Sequence, residues 1–253
     1  MASARPGGSG GGMERLRGKV AVVTGGTRGI GYAIAGALLS EGAAVCLCAR
    51  TAAGVERAVA ALQAAPGGKV MGLPCDVRVY GQVERLVVGA VEAFGGLDIL
   101  VNNAGVGGRA LLAEMPLEMW NEILGTNLTG VFHCCRAAIP AMRRRGGGYI
   151  VNIGSLAGKN AFPEATAYNA SKFGLVGLSE ALMQEVRYDG IRVSYVMPGS
   201  VHTGFTGHAV GPEAAWKLAP EDVAAVVVDL VTSDPRALAS RVEIRPSRPP
   251  RKG

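Results

Sequence analysis

Between residues 127 and 172 stand four side chains of complementary chemistry: Asn127, Ser155, Tyr168 and Lys172. The run YNASK puts Tyr168 and Lys172 at i and i+4, so a helix carries both on one face. A phenol ionises near pH ~10 and is too weak an acid to work unaided at neutral pH. A neighbouring ammonium favours the phenolate and lowers that value. Tyr168 so placed can give a proton to a carbonyl oxygen or take one from an alcohol. Ser155 closes YIVNIGS at the carboxyl end of an apolar strand, where its hydroxyl can hydrogen-bond a substrate carbonyl. Asn127 stands between two helical stretches, and such interruptions often mark a site. Each residue also has a plainer reading: an exposed helix pair, a turn cap, a helix terminator. Together, in order and at strand ends, they point to proton transfer at a C–O group.

These groups need a framework, and the chain alternates strand with helix. Strands are predicted over 19–25, 43–49, 69–75, 98–105, 149–155, 191–199 and 240–246. Helices are predicted over 29–41, 51–64, 79–94, 116–127, 128–145, 166–188 and 220–232. Such alternation implies a parallel sheet with helices on both faces. Crossover handedness makes it a doubly wound α/β sheet of about seven strands, with ligands at the carboxyl ends of the strands. The expected organisation is a flexible leader over 1–13 and a single domain over 14–253, ending in a Pro/Arg-rich tail at 246–253.

The first strand runs into TGGTRGIG (24–31), with glycines spaced G-x-x-x-G-x-G. Gly25 lets the backbone turn sharply, Gly29 lets it approach a pyrophosphate, and Gly31 lets the helix pack closely on the sheet. The helix N-terminus offers unpaired N–H groups to phosphate oxygens. The second strand ends in Ala49 and Arg50, at a place where an acid would meet ribose hydroxyls. Arg50 presents a planar fork suited to a phosphate, and Arg28 projects from the glycine turn nearby. Two cations there fit a 2′-phosphate, hence NADP(H). The plainer reading leaves Arg50 capping a strand in solvent.

Hydrophobic residues make up 49% of the chain and charged ones 18%, enough for a sizeable core. No uninterrupted apolar run of about 18 residues suggests a membrane span. The first residues lack the apolar core of a secretion signal. The net charge of +6 is concentrated in RRR (143–145) and the tail RPSRPPRK (245–252). Arginines at 143–145 suit a helix C-terminus, and five Phe with two Trp offer no stacking platform for bases. A solvated basic surface is expected rather than a nucleic-acid site. The cysteines at 46, 48, 75, 134 and 135 show no zinc-like spacing, so no metal site is expected. Cys46 and Cys48 share a strand face, which suits small buried hydrophobes. A reducing, cytoplasmic compartment fits best.

Residues 17–246 resemble the short-chain dehydrogenase/reductase family. The likeness rests on TGGTRGIG, Asp76-Val77 after the third strand, NNAG (102–105), Asn127, Ser155, YNASK and PGSVHT (198–203). It implies a Rossmann-type fold and hydride transfer between the nicotinamide of NADP(H) and a carbonyl or secondary alcohol. It makes Tyr168 the proton donor, while Lys172 also holds the nicotinamide ribose and Ser155 orients the carbonyl. Asn127 is expected to hold a water linking Lys172 to solvent. Contacts with the phosphates and adenosine ribose are implied for Gly25, Thr27, Arg28, Gly29, Ile30, Gly31, Arg50 and Thr51. Asp76 would contact the adenine, Val77, Asn102, Asn103, Ala104, Gly105, Pro198 and Gly199 would lie along the cofactor, and Val201 and Thr203 would bind the nicotinamide amide. The resemblance also implies a homodimer or homotetramer formed by the long helices before Ser155 and after Tyr168.

Substrate choice is expected in loops 106–115, 156–165 and 202–218. Leu111, Leu112, Met115, Leu156, Phe162 and Phe205 suit either an apolar pocket or ordinary packing. The glycines of the last loop suit a mobile lid, and His202 and His208 read as loop residues rather than a second base. NIGSLAG with YNASK resembles the family's 3-oxoacyl thioester reductases. Two features depart from them: the ending VEIRPSRPP, and Tyr188-Asp189 at the far end of the Tyr168 helix, where a basic residue would help dock an acidic carrier protein. Arginines 143–145 leave such docking open. Small-ketone and 3-hydroxy acid dehydrogenases are the alternative. A non-catalytic NADP sensor would typically lack the tyrosine or lysine, and this chain keeps both.

Overall fold

The computed structural model describes residues 14–64, 68–203 and 215–250. The leader reading for 1–13, and Phe205, His208 and most of the expected lid, lie outside the described residues. The strands are β1 (Val20–Thr24), β2 (Ala44–Ala49), β3 (Val70–Pro74), β4 (Ile99–Asn102), β5 (Gly148–Ile153), β6 (Ile191–Pro198) and β7 (Arg241–Ile244). The α-helices are α1 (Gly29–Ser40), α2 (Ala52–Gln63), α3 (Tyr80–Phe94), α4 (Leu117–Leu124), α5 (Gly130–Arg144), α6 (Thr166–Val186) and α7 (Pro220–Thr232). All seven strands run parallel in the order β3-β2-β1-β4-β5-β6-β7. The winding reverses between β1 and β4, and a crevice opens at such a reversal.

The strands read as continuous apolar runs because both their faces are covered. In β2, Val45 and Leu47 join the layer with α1, α2 and α7, while Cys46 and Cys48 join the layer with α3, α5 and α6. Ile34 and Leu38 of α1 pack with Val223 and Val227 of α7 on the first side. Leu86, Val131 and Leu175 represent α3, α5 and α6 on the second. All five thiols are free and buried, Cys46 and Cys48 on the strand face that suggested it. Burial pushes Cys46 and Cys135 up to about 12.

Two helical stretches differ from expectation. The predicted helices over 116–127 and 128–145 meet in a single π-helical turn at Gly125–Thr129, which holds Asn127. The helix predicted to reach residue 188 ends at Val186 and tightens into a 3₁₀ turn over Arg187–Asp189. The arginines at 143–145 also serve the fold. Arg143 pairs with Asp189 at 2.7 Å, and Arg145 reaches the buried Asp98 and the carbonyl of Gly18. Asp98 further accepts from the Val20 amide and from Lys19.

A polar thread crosses the core. Asn102 and Asn152 are register partners on β4 and β5. Asn102 Nδ2 donates to Asn152 Oδ1 at 2.8 Å, and Asn152 Nδ2 donates to Ser179 Oγ of α6 at 2.9 Å. Asn102 Nδ2 also reaches Cys135 Sγ of α5. The Asn102 side chain is therefore a buried structural bridge, pointing into the layer of α5 and α6. Among the described residues, no helix is long and apolar enough to cross a membrane.

Candidate active site

Ser155 leaves the end of β5 and begins a 3₁₀ turn, its Oγ accepting from the Ala157 amide at 3.1 Å. Tyr168 sits in the first turn of α6, near enough to the Ser155 hydroxyl for that group to act on its phenol. Lys172 follows one turn later with its ammonium buried, donating to the Ile153 carbonyl at 3.0 Å. Burial pushes that ammonium down to about 8. The phenol moves the other way: burial raises Tyr168, and the Ser155 hydrogen bond only partly opposes it. The expectation that Lys172 lowers Tyr168 is thus corrected. Desolvation sets the direction at Tyr168, while the Lys172 ammonium is aimed at the Ile153 carbonyl.

Asn127 is buried in the π turn, and its side-chain amide is committed to protein. Oδ1 accepts from the Val106 amide at 2.8 Å, while Nδ2 donates to the Val106 carbonyl at 2.9 Å and to Ser171 Oγ at 3.1 Å. Ser171 Oγ in turn donates to the Tyr168 carbonyl. Asn127 therefore clamps the loop after β4 to the helix carrying Tyr168.

On the other side of the crevice lies the glycine turn. Gly25 and Gly29 have φ of 64° and 54°, a left-handed conformation that side chains resist. A Cβ at Gly31 would overlap both Asn103 Nδ2 and the Gly25 carbonyl. The crowding at Gly31 thus comes from the turn and its brace, rather than from the sheet surface expected. That brace is Asn103, whose Nδ2 donates to the carbonyls of Thr24 and Gly25 at 2.9 and 3.1 Å. Thr24 Oγ1 returns the link by accepting from the amides of Asn103 and Ala104. At the start of α1, Arg28 provides no side-chain cap and the first turn holds no acid. Its amides and positive dipole end are left for an anion. An open, glycine-floored, acid-free turn fits the phosphates of a dinucleotide.

The other cofactor candidates surround this turn. Thr27, Ile30 and Gly105 are half-buried, and Thr51 starts α2. Pro198 ends β6, the Gly199 amide bonds the Ile244 carbonyl at 2.8 Å, and Val201 bridges to Leu218. Thr203 comes close enough that a Cβ on Gly29 would lie 3.3 Å from its methyl. Val77 is a core residue whose carbonyl accepts from His133 Nδ1 at 2.9 Å. Arg28 is exposed. Arg50 pairs with Glu122 at 2.9 Å. Asp76, expected at an adenine, spends its carboxylate on Arg78, whose Nη2 lies 2.6 Å from Oδ2. The Arg78 hydrogen bond holds that carboxyl below its ordinary range. Arg78 and Glu122 were not anticipated. The spacing of Asp76 and Arg78 carried a signal, since the Arg78 amide closes an Asx turn on Asp76 Oδ1. Glu122 carried none.

Leu111, Leu112 and Phe162 are exposed, so they are not core packing, while Leu156 and Met115 are half-buried. The Ala110 amide donates to the Glu164 carbonyl at 2.9 Å, tying two of the loops together. Glu164 is a non-glycine residue with a positive φ of 62°. Asn169, next to Tyr168, donates from Nδ2 to the Phe162 carbonyl at 3.0 Å. Among the described residues, no group of His, Cys, Asp or Glu is placed to hold a metal ion.

A parallel sheet reversed at β1 and β4, a glycine turn at the reversal and a Ser–Tyr–Lys cluster opposite define a class of protein. The family model for short chain dehydrogenases matches residues 19–214, and the chain belongs to that family. It is 43% identical to the 3-oxoacyl-(acyl-carrier-protein) reductase FabG of Haemophilus influenzae, over 76% of this chain and 77% of that one. It is 42% identical to dehydrogenase/reductase SDR family member 4 of Oryctolagus cuniculus, over 76% of this chain and 74% of that one. A crystal structure of a metagenomic short-chain oxidoreductase in complex with NADP superposes with a TM-score of 0.82 at 38% identity. That match covers 92% of this chain and 100% of the other.

Proposed function

We propose that the protein is an NADP(H)-dependent oxidoreductase interconverting a carbonyl and a secondary alcohol, with 3-oxoacyl thioesters as its first substrate class. One arrangement carries the reading: two neighbouring hydroxyls, Ser155 and Tyr168, beside a buried lysine. A bound nicotinamide supplies or accepts the hydride. Ser155 hydrogen-bonds the substrate oxygen and sets its orientation. Negative charge developing on that oxygen meets two hydroxyls already in place. Tyr168 transfers its phenolic proton to the oxygen, with Lys172 held one helical turn away. In the alcohol-oxidising direction the same proton returns to Tyr168.

The glycine turn from Gly25 to Gly31 would hold the pyrophosphate, with Arg28 and Arg50 at a 2′-phosphate. Asp76, Asn103, Ala104 and Gly105 would line the middle, and Pro198 to Thr203 the nicotinamide amide. The NADP bound by the metagenomic relative supports the cofactor, and the Haemophilus relative's named reaction supports the substrate class. A homodimer or homotetramer in the cytoplasm completes the proposal.

A second reading, a reductase of small ketones or a 3-hydroxy acid dehydrogenase, is favoured by one observation. Arg143 pairs with Asp189 and Arg145 with Asp98, so two of the three exposed arginines already have a carboxylate partner. An acidic carrier protein finds little free positive charge at that helix end. The test is NADPH oxidation against a 3-oxoacyl thioester, a small 3-oxo acid, a diketone and an aromatic aldehyde, each repeated with NADH. Preference for the thioester supports the first reading, and activity on small carbonyls alone supports the second. Tight NADPH binding without any turnover would refute both.

A further inference from the structure

Four charges alternate in sign where β2, β3 and the π turn converge. Arg50 Nη1 lies 2.9 Å from Glu122 Oε1. Arg78 grips Asp76 through Nε and Nη2 at 2.6 to 3.0 Å. The two pairs also sense each other. After Asp76 itself, Glu122 is the charge that raises Arg78, and Arg50 adds to the lowering of Asp76 by Arg78. The quartet is formally neutral. Glu122 stands on α4, and both partners of its pair are substantially exposed, at 57% and 43%. An ion pair this wet contributes little to folding. Its importance is positional, because Arg50 is the cation expected to meet a 2′-phosphate.

Resting on the NADP(H) reading above, we propose that Glu122 is a specificity-determining residue that competes internally for Arg50. A phosphate monoester carries about −1.5 to −2 charges and accepts the guanidinium fork bidentately, so it displaces a single carboxylate. Glu122 then remains close by, with Arg78 as its alternative partner. It still repels the incoming anion and moderates the preference for the phosphorylated cofactor. A ribose with a free 2′-hydroxyl makes no such demand and leaves the Arg50–Glu122 pair intact.

Glu122→Gln keeps the size of the side chain and removes its charge. The experiment measures dissociation constants calorimetrically for NADPH, NADH, adenosine 2′,5′-bisphosphate and 5′-AMP against wild type, Glu122→Gln and Arg50→Gln. Glu122→Gln should bind the two 2′-phosphorylated ligands about 3- to 10-fold more tightly, and the other two within about 2-fold. The gain should shrink at high salt, and circular dichroism should report an unchanged melting temperature. Unchanged or weaker binding of the 2′-phosphorylated ligands by Glu122→Gln, with wild type preferring them and Arg50→Gln losing that preference, would overturn the proposal alone. A wild type with no preference for the 2′-phosphate would overturn the NADP(H) reading along with it.

Discussion

The Lys172 ammonium lies 3.0 Å from the Ile153 carbonyl oxygen and 5.8 Å from the centre of the Tyr168 ring. It is tied to the strand that delivers Ser155 while staying within cation–π range of the phenol that Ser155 touches. Strand end and helix face are thereby held together by one buried cation.

Tyr168→Phe removes the proton carrier and little else. Turnover should fall by about 10²- to 10⁴-fold, while NADPH affinity stays close to wild type. Single-turnover kinetics beside a binding titration would separate the two effects, and an unchanged rate would refute the assignment.

Lys172 should make stability depend on pH in a defined direction. Its folded value of about 8 lies below the ordinary 10.5, so holding the charge buried costs about 3 kcal/mol at neutral pH. Below pH 8 that cost is fully present. Between 8 and 10.5 the folded protein releases a proton that the unfolded chain still binds, and stability contributed at this site rises. Lys172→Met should therefore unfold at higher urea concentration than wild type at pH 7, with the difference shrinking by pH 10, and should be inactive. A destabilised Lys172→Met at pH 7 would contradict this.

Gly31→Ala places a methyl group against Asn103 Nδ2 and the Gly25 carbonyl. Relief of that overlap must move the turn or its brace, and dinucleotide affinity should fall by at least about 10-fold, with about 1–3 kcal/mol lost from stability. Asn103→Ala, which removes the brace, should be destabilising by a similar amount through the unpaired carbonyls. Titration and urea unfolding read both, and undiminished affinity in Gly31→Ala would exclude a crowded turn.

Asn169 is nine-tenths buried and holds the Phe162 carbonyl, so it should tune the substrate and not the cofactor. Asn169→Ala should raise KM for a bulky carbonyl compound with little change in NADPH dissociation constant. Equal changes in both quantities would point instead to a general loosening of α6.

The sheet was legible because its strands are buried on both faces and show as short apolar runs, AVCLCA being the plainest. The interruption at Asn127 was legible too, but not its form as a π turn over Gly125–Thr129, which continues the helix instead of ending it. Tyr168 and Lys172 were visible from their i, i+4 spacing. Their protonation behaviour was not, because it depends on burial and on a carbonyl nineteen residues away in sequence. Arg50 was found as a cation at a strand end, but its partner Glu122 lies 72 residues further on and leaves no local mark. Asn102 and Asn103 are adjacent and chemically identical. Strand alternation alone turns one into the core and the other onto the glycine turn.

The register pairing of Asn102 with Asn152 has a consequence for how the chain reaches its native state. Parallel strands close large loops and pair slowly. Sliding β5 by one residue along β4 would replace Asn152 opposite Asn102 by Val151 or Ile153, leaving two amides dry and unmatched. Each such orphan costs about 1–3 kcal/mol. Aliphatic neighbours alone would tolerate the slip with little complaint. The amide pair therefore penalises the slipped register relative to the native one, and it is the native register that brings the end of β5, with Ser155, to Tyr168 and Lys172 of α6.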